Sequence, residues 1–408
     1  MLQQVALSQK SLADYTHLCG RDLTERIREL AEPLRGRRVL HVSATAFGGG
    51  VSEILSALVP LMRDVELDAH WNVILASEEF FHATKLLHNS LQGDEATLSE
   101  EQWALFDRYN EMIARSLEGD WDIIIVHDPQ PIGLRRGAVE RGRHWVWRCH
   151  IDLSEPNPVP IGRLLPLIRE YDATVWHLAD YVPEGLNGSA RIIPPAIDPL
   201  SPKNMALSPE DAAFVCSQFG IDVDRPLLCQ VSRFDPWKDP TGVVDVYRLV
   251  NEQLDDVQLA LIGSMATDDP QGWEFFQRTL EYADSDPDIK VLVADIGAIE
   301  VNAFQSQSDA IIQKSIREGF GLTVTEALWK ARPTVASKVG GIPLQIVDGQ
   351  SGFLISSPEQ AAQRCVEVLA DPELGKRLGR AGKEHARAKF LAPRLLRDWL
   401  ELFTDLGI

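Results

Sequence analysis

The chain has few basic residues relative to its acidic ones. Its 408 residues include 40 Lys and Arg against 60 Asp and Glu, which gives a formal net charge of −20 at pH 7. No cluster of Lys or Arg offsets this charge, although nucleic acid and anionic membranes both select for such clusters. We therefore expect no nucleic acid and no membrane among the partners, and an anionic ligand would have to be held by a few local cations.

Paired cysteines and long apolar runs are also missing. The five cysteines are odd in number and scattered, without C-x-x-C or zinc-like spacing. No apolar run approaches the roughly eighteen residues of a membrane span. The first residues lack the basic segment and apolar core of a signal peptide. These features favour a reducing, cytoplasmic compartment.

Short apolar runs alternate with longer amphipathic ones, which is typical of parallel sheets with helices on both faces. A polar segment, 78–118, interrupts this rhythm, and a proline-rich segment, 194–202, separates two rounds of it. At this length we expect two Rossmann-like, doubly wound α/β domains that face each other across a cleft. The predicted bounds are 1–200 and 201–390, followed by a C-terminal helix over 391–408.

Two carboxylates, Glu318 and Glu326, flank a Gly-Phe-Gly turn and the start of a helical pattern. A strand-like run precedes them, so Glu318 is predicted at the carboxyl end of a strand and Glu326 two turns into the next helix. The N-terminus of that helix offers backbone N–H groups to phosphate or sugar oxygens. This arrangement suits a polyhydroxyl ligand attached to a diphosphate, although two solvated helix carboxylates give the same spacing by chance.

Arg233 and Lys238 form a second motif, where the strand-like run 226–231 meets the next helix. An arginine fork and a lysine point charge at such a junction suit the two phosphates of a diphosphate. Each motif alone is weak. The two in succession strongly indicate a site for a diphosphate-linked sugar.

With these motifs, the chain resembles the retaining, nucleotide-sugar-dependent glycosyltransferases of the large family that includes sucrose and glycogen synthases. The likeness is closer to the trehalose-forming branch of that family and runs nearly end to end. It is carried most clearly by the segments 29–34, 47–51, 126–131, 147–153 and 231–238. The resemblance implies the B-type glycosyltransferase fold, with an acceptor-side domain, then a nucleotide-sugar domain, and a last helix that crosses back onto the first domain.

The resemblance also implies residue roles. Arg233 and Lys238 would clamp the donor diphosphate, Glu318 would bind the donor sugar hydroxyls, and Glu326 would bind the ribose. His150 would contact the donor sugar near its primary hydroxyl. The implied donor-binding residues are Gly49, Gly50, Arg233, Lys238, Glu318, Gly319, Phe320, Gly321, Leu322 and Glu326. The implied acceptor-binding residues are Asp128, His150 and Asp152, and the implied catalytic residues are Arg233, Lys238, Glu318 and His150.

Some of these positions also have simpler interpretations. The consecutive glycines 48–50 let backbone approach a ligand, but they also suit a flexible turn, and they lack the G-x-G-x-x-G spacing of a dinucleotide site. Asp128, at the end of a predicted strand, either binds the acceptor or caps the next helix. A lone strand histidine such as His150 is often a core residue. With Asp152 it supplies two metal ligands, too few for a site.

The implied reaction is retaining transfer of glucose from ADP-glucose or UDP-glucose to free glucose, giving α,α-trehalose. No carboxylate is assigned as a nucleophile, so we expect front-face displacement, with Arg233 and Lys238 stabilising the leaving diphosphate. No tightly bound cofactor and no essential metal are predicted. The expected partners are the nucleotide sugar, glucose and trehalose, and a homodimer is left open.

Three other functions remain open from the sequence. A trehalose phosphorylase would use inorganic phosphate in place of the nucleotide. A related retaining transferase would use another acceptor, and a phosphorylated acceptor would need a basic residue, for which Arg148 is a candidate. In another class, a nucleotide-sugar epimerase can use the same two-domain fold.

Overall fold

The computed structural model describes residues 1–186, 190–263, 270–293 and 296–408. The chain forms two compact units. Unit 1 comprises Met1–Ala196 together with Ala392–Ile408, and unit 2 comprises Ile197–Leu391. Across the described ranges, no helix is both long and apolar enough to cross a membrane.

Unit 1 is built on a mostly parallel sheet. Its strands, as far as the chain is described, are β1 (Leu2–Gln4), β2 (Arg38–Ser43), β3 (Asp68–Ile74), β4 (Trp121–His127), β5 (Gly142–Arg148), β6 (Ala173–Trp176) and β7 (Ala190–Ile192). Their order is β1-β3-β2-β4-β5-β6-β7, and β1 pairs antiparallel with β3. The central strand β4 is buried at nearly every position, as expected of a parallel strand covered on both faces.

Helices cover the sheet of unit 1. They are α1 (Thr16–Cys19), α2 (Arg21–Ala31), α3 (Gly50–Asp64), α4 (Glu78–Leu91), α5 (Glu100–Arg115), α6 (Leu134–Ala138) and α7 (Pro158–Ile168). The segment 78–118, interpreted from its sequence as a polar interruption, contains the two amphipathic helices α4 and α5. A capping box at Ser99 and Gln102 starts α5. The apolar faces of these helices bury Phe80, Trp103 and Phe106 in the core.

Unit 2 contains a parallel sheet whose strands, among the described residues, are β8 (Leu227–Val231), β9 (Gln258–Ile262), β10 (Ile289–Leu292), β11 (Ala310–Gln313), β12 (Thr334–Ser337) and β13 (Phe353–Ile355). Their order is β10-β9-β8-β11-β12-β13. The helices are α8 (Pro209–Gln218), α9 (Pro240–Asn251), α10 (Pro270–Ala283), α11 (Ala298–Gln307), α12 (Leu322–Trp329), α13 (Ile342–Gln345), α14 (Pro358–Ala370) and α15 (Pro372–Lys389). Both units therefore have the predicted doubly wound α/β architecture.

The terminal helix, α16 (Ala392–Asp405), belongs to unit 1, where it packs on α2 and α3. Its buried Arg394 donates to the carbonyl oxygens of Pro194 and Pro195 at 2.9 and 2.7 Å and pairs with Asp398 at 2.7 Å. These bonds satisfy the two terminal nitrogens of a guanidinium that would otherwise be costly to bury. They fix the start of α16 to the end of the first segment of unit 1.

Candidate active site

Two loops of unit 2 lie side by side because they follow the adjacent parallel strands β8 and β11. The carbonyl of Trp237 accepts a hydrogen bond from the backbone N–H of Ile316 at 2.7 Å. The side chain of Gln230 donates to the carbonyl of Lys238 and accepts from the N–H of Lys314, both at 3.1 Å. Residues far apart in the sequence are thereby held together at the carboxyl edge of the sheet.

This packing brings Lys238 and Glu318 into contact. The Nζ of Lys238 lies 2.6 Å from Oε2 of Glu318, and the two side chains are 15% and 9% exposed. The Oγ of Ser315 donates to the same carboxylate oxygen at 3.2 Å. A cation that can bind phosphate and a carboxylate that can accept hydrogen bonds from hydroxyl groups therefore lie next to each other, an arrangement that suits a diphosphate-linked sugar.

Arg233, on the same loop as Lys238, keeps its guanidinium accessible. One of its terminal nitrogens lies 2.9 Å from a carboxylate oxygen of Asp235, and 48% of the side chain is exposed. The other oxygen of Asp235 accepts from the backbone N–H of Lys238 at 3.1 Å. Asp235 thus orients one side of the fork, and the remaining donors are left to bind a ligand.

The Gly-Phe-Gly turn, Gly319 to Gly321, leads directly into α12. Gly321 adopts a left-handed conformation, with φ 82°, and is the N-cap of α12 without any side-chain cap. A Cβ at Gly321 would lie 3.1 Å from Cγ of Glu318. The first N–H groups of α12, beginning at Leu322, are thus presented next to Glu318, where they can donate to phosphate or sugar oxygens.

Two residues that the sequence did not single out hold this turn in place. Gln345 donates from Nε2 to the carbonyl of Phe320 at 2.5 Å. Gly341 packs so tightly that an added Cβ would lie 2.8 Å from Cα of Phe320. These residues follow β12, a neighbour of β11, and would be found from sequence only if the strand order were known.

Glu326 occupies a different environment from Glu318. Its side chain is fully buried, and it pairs through Oε1 with Nζ of Lys203 at 3.0 Å. Its other oxygen accepts from Nε2 of Gln305 at 3.2 Å. Both oxygens therefore face the interior of unit 2, so ribose binding by Glu326 remains a prediction and would require the carboxylate to leave these partners.

In unit 1, the loop between β2 and α3 carries the glycines. Gly49 is the N-cap of α3, in an extended conformation and without a side-chain cap, and Gly50 is the first residue of the helix. A Cβ built at Gly49 meets nothing within 4 Å. The protein itself does not require a glycine at this position, so the open space in front of it can accommodate a ligand.

Asp128 and His150 follow the adjacent strands β4 and β5 and contact each other. The backbone N–H of His150 donates to Oδ1 of Asp128 at 2.7 Å. Asp128 adopts φ 62°, a left-handed conformation that aspartate tolerates better than most residues. Burial raises the pKa of Asp128 to about 7, although the His150 N–H and the Arg148 charge oppose this shift.

The structure also places Asp152 and Arg148. Asp152 is buried, and its Oδ1 accepts hydrogen bonds from the backbone N–H and the Oγ of Ser154 at 2.9 and 2.6 Å. This oxygen therefore stabilises the loop that contains both residues. Arg148 is buried and donates to the carbonyl of Trp176 at 3.3 Å. Binding of a phosphorylated acceptor by Arg148 therefore stays a prediction and would require the guanidinium to leave this enclosed position.

Fold and site together define the class. Cations beside a carboxylate at the carboxyl edge of a parallel sheet suit a phosphorylated sugar. A family model described as "Glycosyl transferases group 1" matches residues 215–385. A solved structure described as trehalose-6-phosphate from E. coli bound with UDP-2-fluoro glucose matches 90% of this chain and 98% of its own with a TM-score of 0.71, at 15% identity. The protein is a glycosyltransferase, and the predicted B-type fold is confirmed.

The family follows from the sequence comparisons. A model described as "Trehalose synthase, N-terminal domain" matches residues 41–183. A trehalose synthase of Rubrobacter xylanophilus is 55% identical over 100% of this chain and 99% of its own, and one of Pyrococcus horikoshii is 44% identical over 100% and 99%. The chain belongs to the trehalose synthase family of glycosyltransferases. Its activity is glycosyl transfer in trehalose metabolism.

Proposed function

We propose that the protein transfers glucose, with retention, from a nucleoside diphosphate glucose to free glucose, and so forms α,α-trehalose. The contact between Lys238 and Glu318 carries this proposal. It places a side chain suited to bind phosphate beside one suited to bind sugar hydroxyls, at the N-terminus of α12. The two relatives named trehalose synthase, similar over nearly their full length, support the product.

The donor would be bound in two parts. Arg233, Lys238 and the first N–H groups of α12 would bind the diphosphate, and Glu318 would accept hydrogen bonds from the glucose hydroxyls. The sequence-based predictions for Gly49, Gly50 and His150 are retained in this proposal, namely a backbone contact of the glycine loop with the donor and a contact of His150 with the primary hydroxyl of the glucose.

The proposed chemistry is a front-face displacement. The bond from glucose C1 to the phosphate oxygen breaks, a bond from C1 to the acceptor oxygen forms on the same face, and the acceptor proton passes to the departing phosphate oxygen. Glu318 is occupied by Lys238, which favours hydroxyl binding over nucleophilic attack. We propose that the two cations and the helix N–H groups stabilise the leaving diphosphate, without a resident metal or cofactor.

Proton NMR of the purified protein with ADP-glucose or UDP-glucose, with and without glucose, tests this function. The expected product is a glucose-dependent, symmetric non-reducing disaccharide with a single α-anomeric signal, formed equally in the presence of EDTA. Synthesis from glucose 1-phosphate but not from nucleotide sugars would make the protein a phosphorylase. Conversion of the donor without an acceptor would make it an epimerase.

Replacing Gly49 with alanine should leave the thermal unfolding temperature unchanged, because the new Cβ meets open space. The KM for the nucleotide sugar should rise about tenfold or more, since a methyl group would obstruct a backbone contact with the donor. Gly162→Ala is the matched control, because a Cβ there also meets nothing within 4 Å. An unchanged donor KM in Gly49→Ala would remove the glycine loop from the donor site.

The acceptor site should be sensitive to pH. Asp128, with its pKa raised to about 7 by burial, is protonated below neutrality, and its carboxylate accepts hydroxyl hydrogen bonds more strongly once ionised. The KM for glucose should therefore fall between about pH 6 and 8, while the KM for the donor stays flat. Asp128→Asn, which tolerates the same backbone conformation, should bind glucose about tenfold more weakly and lose this pH dependence.

The same shift has a defined sign for stability. Because the folded pKa of Asp128 lies above its ordinary value of 3.8, the folded state holds this proton more tightly. The stabilisation that Asp128 gives is complete below about pH 4 and is lost as the pH rises through about 7. The unfolding temperature of Asp128→Asn should therefore fall less between pH 5 and 8 than that of the original protein, which thermal unfolding at several pH values would show.

A further inference from the structure

A row of four histidines crosses the carboxyl edge of the sheet in unit 1. His41 lies in β2, His127 ends β4, and His150 and His177 follow β5 and β6. These four strands are neighbours in this order, so each ring faces the next. The ring centroids of His41 and His127 are 5.3 Å apart, those of His127 and His150 are 5.2 Å apart, and those of His150 and His177 are 5.4 Å apart.

Three of these rings are joined by hydrogen bonds. Nδ1 of His41 lies 3.0 Å from Nε2 of His127, and Nδ1 of His127 lies 2.9 Å from Nε2 of His150. Burial lowers the pKa of His41 to about 3 and lowers the pKa values of His127 and His150 well below their ordinary range. The three rings are therefore neutral at pH 7, and each carries a single N–H.

Neutral rings leave two consistent arrangements. In the first, every ring is protonated on Nδ1: His41 donates to His127, His127 donates to His150, and Nδ1 of His150 is left as a donor. In the second, every ring is protonated on Nε2: the bonds run in reverse, and Nδ1 of His150 becomes an acceptor. The nitrogen that carries the proton in His41 thus determines whether Nδ1 of His150, two strands away, is a hydrogen-bond donor or an acceptor.

The buried end of the chain favours the first arrangement. Nε2 of His41 is enclosed and has no hydrogen-bond partner among the described residues. The ring of Trp399, 6.1 Å away between centroids, offers it no acceptor lone pair. The second arrangement would bury an N–H without an acceptor there, whereas the first buries only a nitrogen acceptor without a donor. Among buried backbone groups, acceptors without a partner are more common than donors without one.

At the other end, Nδ1 of His150 has no hydrogen-bond partner in the part of the chain that is described, and the residue is half-buried. We propose that His41 and His127 are positioning residues that keep the proton of His150 on Nδ1, so that His150 donates a hydrogen bond to the primary hydroxyl of the transferred glucose. This inference rests on the proposed function for the contact with glucose, but the tautomer of His150 does not depend on that function.

The tautomers can be measured on the full chain without any substrate. Long-range proton–nitrogen correlation of ¹⁵N-histidine-labelled protein at pH 7.5 distinguishes the protonated from the bare nitrogen of each neutral ring, and His→Gln variants assign the signals. His41, His127 and His150 should all be protonated on Nδ1. Protonation of the three rings on Nε2 would overturn the proposal.

Two variants of His41 then test the functional consequence. His41→Met keeps a buried apolar side chain but offers His127 only a weak sulfur acceptor, so the proton of His127 should move to Nε2 and Nδ1 of His150 should become an acceptor. The kcat/KM for the nucleotide sugar should fall about tenfold, with the KM for glucose unchanged. His41→Asn places an amide N–H close to the position of Nδ1 and should restore the value to within about threefold of the original.

A donor that lacks the primary hydroxyl separates this effect from a merely structural one. With a 6-deoxyglucose donor, the original protein should lose about tenfold in kcat/KM, and His41→Met should lose little more, because the hydrogen bond is already absent. An equal 6-deoxy penalty in both proteins would overturn the relay. If no nucleotide sugar is used at all, the proposed function fails, and the tautomer measurement still decides the arrangement of the histidines.

Discussion

Replacing Lys238 with methionine should reduce kcat about 10²–10³-fold, the range seen when one group that stabilises a developing negative charge is removed. The same change should lower the free energy of unfolding by about 3 kcal/mol, because the largely buried carboxylate of Glu318 loses its cation. Turnover with ADP-glucose or UDP-glucose and urea unfolding measure the two effects.

A double variant separates the two losses. In Lys238→Met with Glu318→Gln, no charge is left without its counterion, so most of the stability should return while turnover stays low. Lys314→Met is the matched control, because Lys314 forms a similarly buried ion pair with Asp239 on the neighbouring loop. It should lose comparable stability but less than tenfold in kcat. Recovery of turnover in the double variant would show that the pair is purely structural.

The positions of Lys238 and Glu318 were predictable to the level of strand ends. Lys238 and Glu318 each follow an apolar run, and parallel sheets bind ligands at the carboxyl ends of their strands. Their direct contact was not predictable, since it depends on β8 and β11 being neighbours and on the bonds that Gln230 makes to both loops. Spacing in the sequence does not reveal strand order.

Burial decided the cases where the sequence was a poor guide. Arg148 and Glu326 are charged residues in motifs that resemble a binding site, yet both side chains are enclosed. Along a parallel strand or a short helix, both faces can be buried, so the usual alternation of polar and apolar positions does not show which charge faces a ligand. The short strand β1 was also missed, because Leu2–Gln4 has no apolar pattern and pairs only at the edge of the sheet.

The histidine row illustrates a similar limit. His41, His127 and His150 are each visible in strand-like runs, but nothing in their spacing indicates that they form one chain. The register between strands and the direction of each side chain bring the rings together, and both are tertiary features. A signal could have been the recurrence of histidine at or just beyond the ends of successive strands.

The two carboxylates that first marked the site should differ in their effect on catalysis when each is changed to glutamine. Glu326→Gln should lower the free energy of unfolding by about 3 kcal/mol, because Lys203 loses its buried carboxylate, and should leave the KM for the nucleotide sugar within about threefold. Glu318→Gln should instead lower kcat about 10²-fold, since a carboxylate that binds the sugar hydroxyls becomes a weaker acceptor.

Urea unfolding and donor kinetics, measured on both variants, distinguish these residues. Each substitution replaces one carboxylate oxygen by an NH2 group of nearly equal size. Packing is therefore preserved, and the main change is the loss of the negative charge. A large rise in the donor KM for Glu326→Gln, with stability retained, would mean that the carboxylate leaves Lys203 and Gln305 to bind ribose when the nucleotide arrives. The enclosed position seen in the structure predicts the reverse, with stability lost and donor affinity kept.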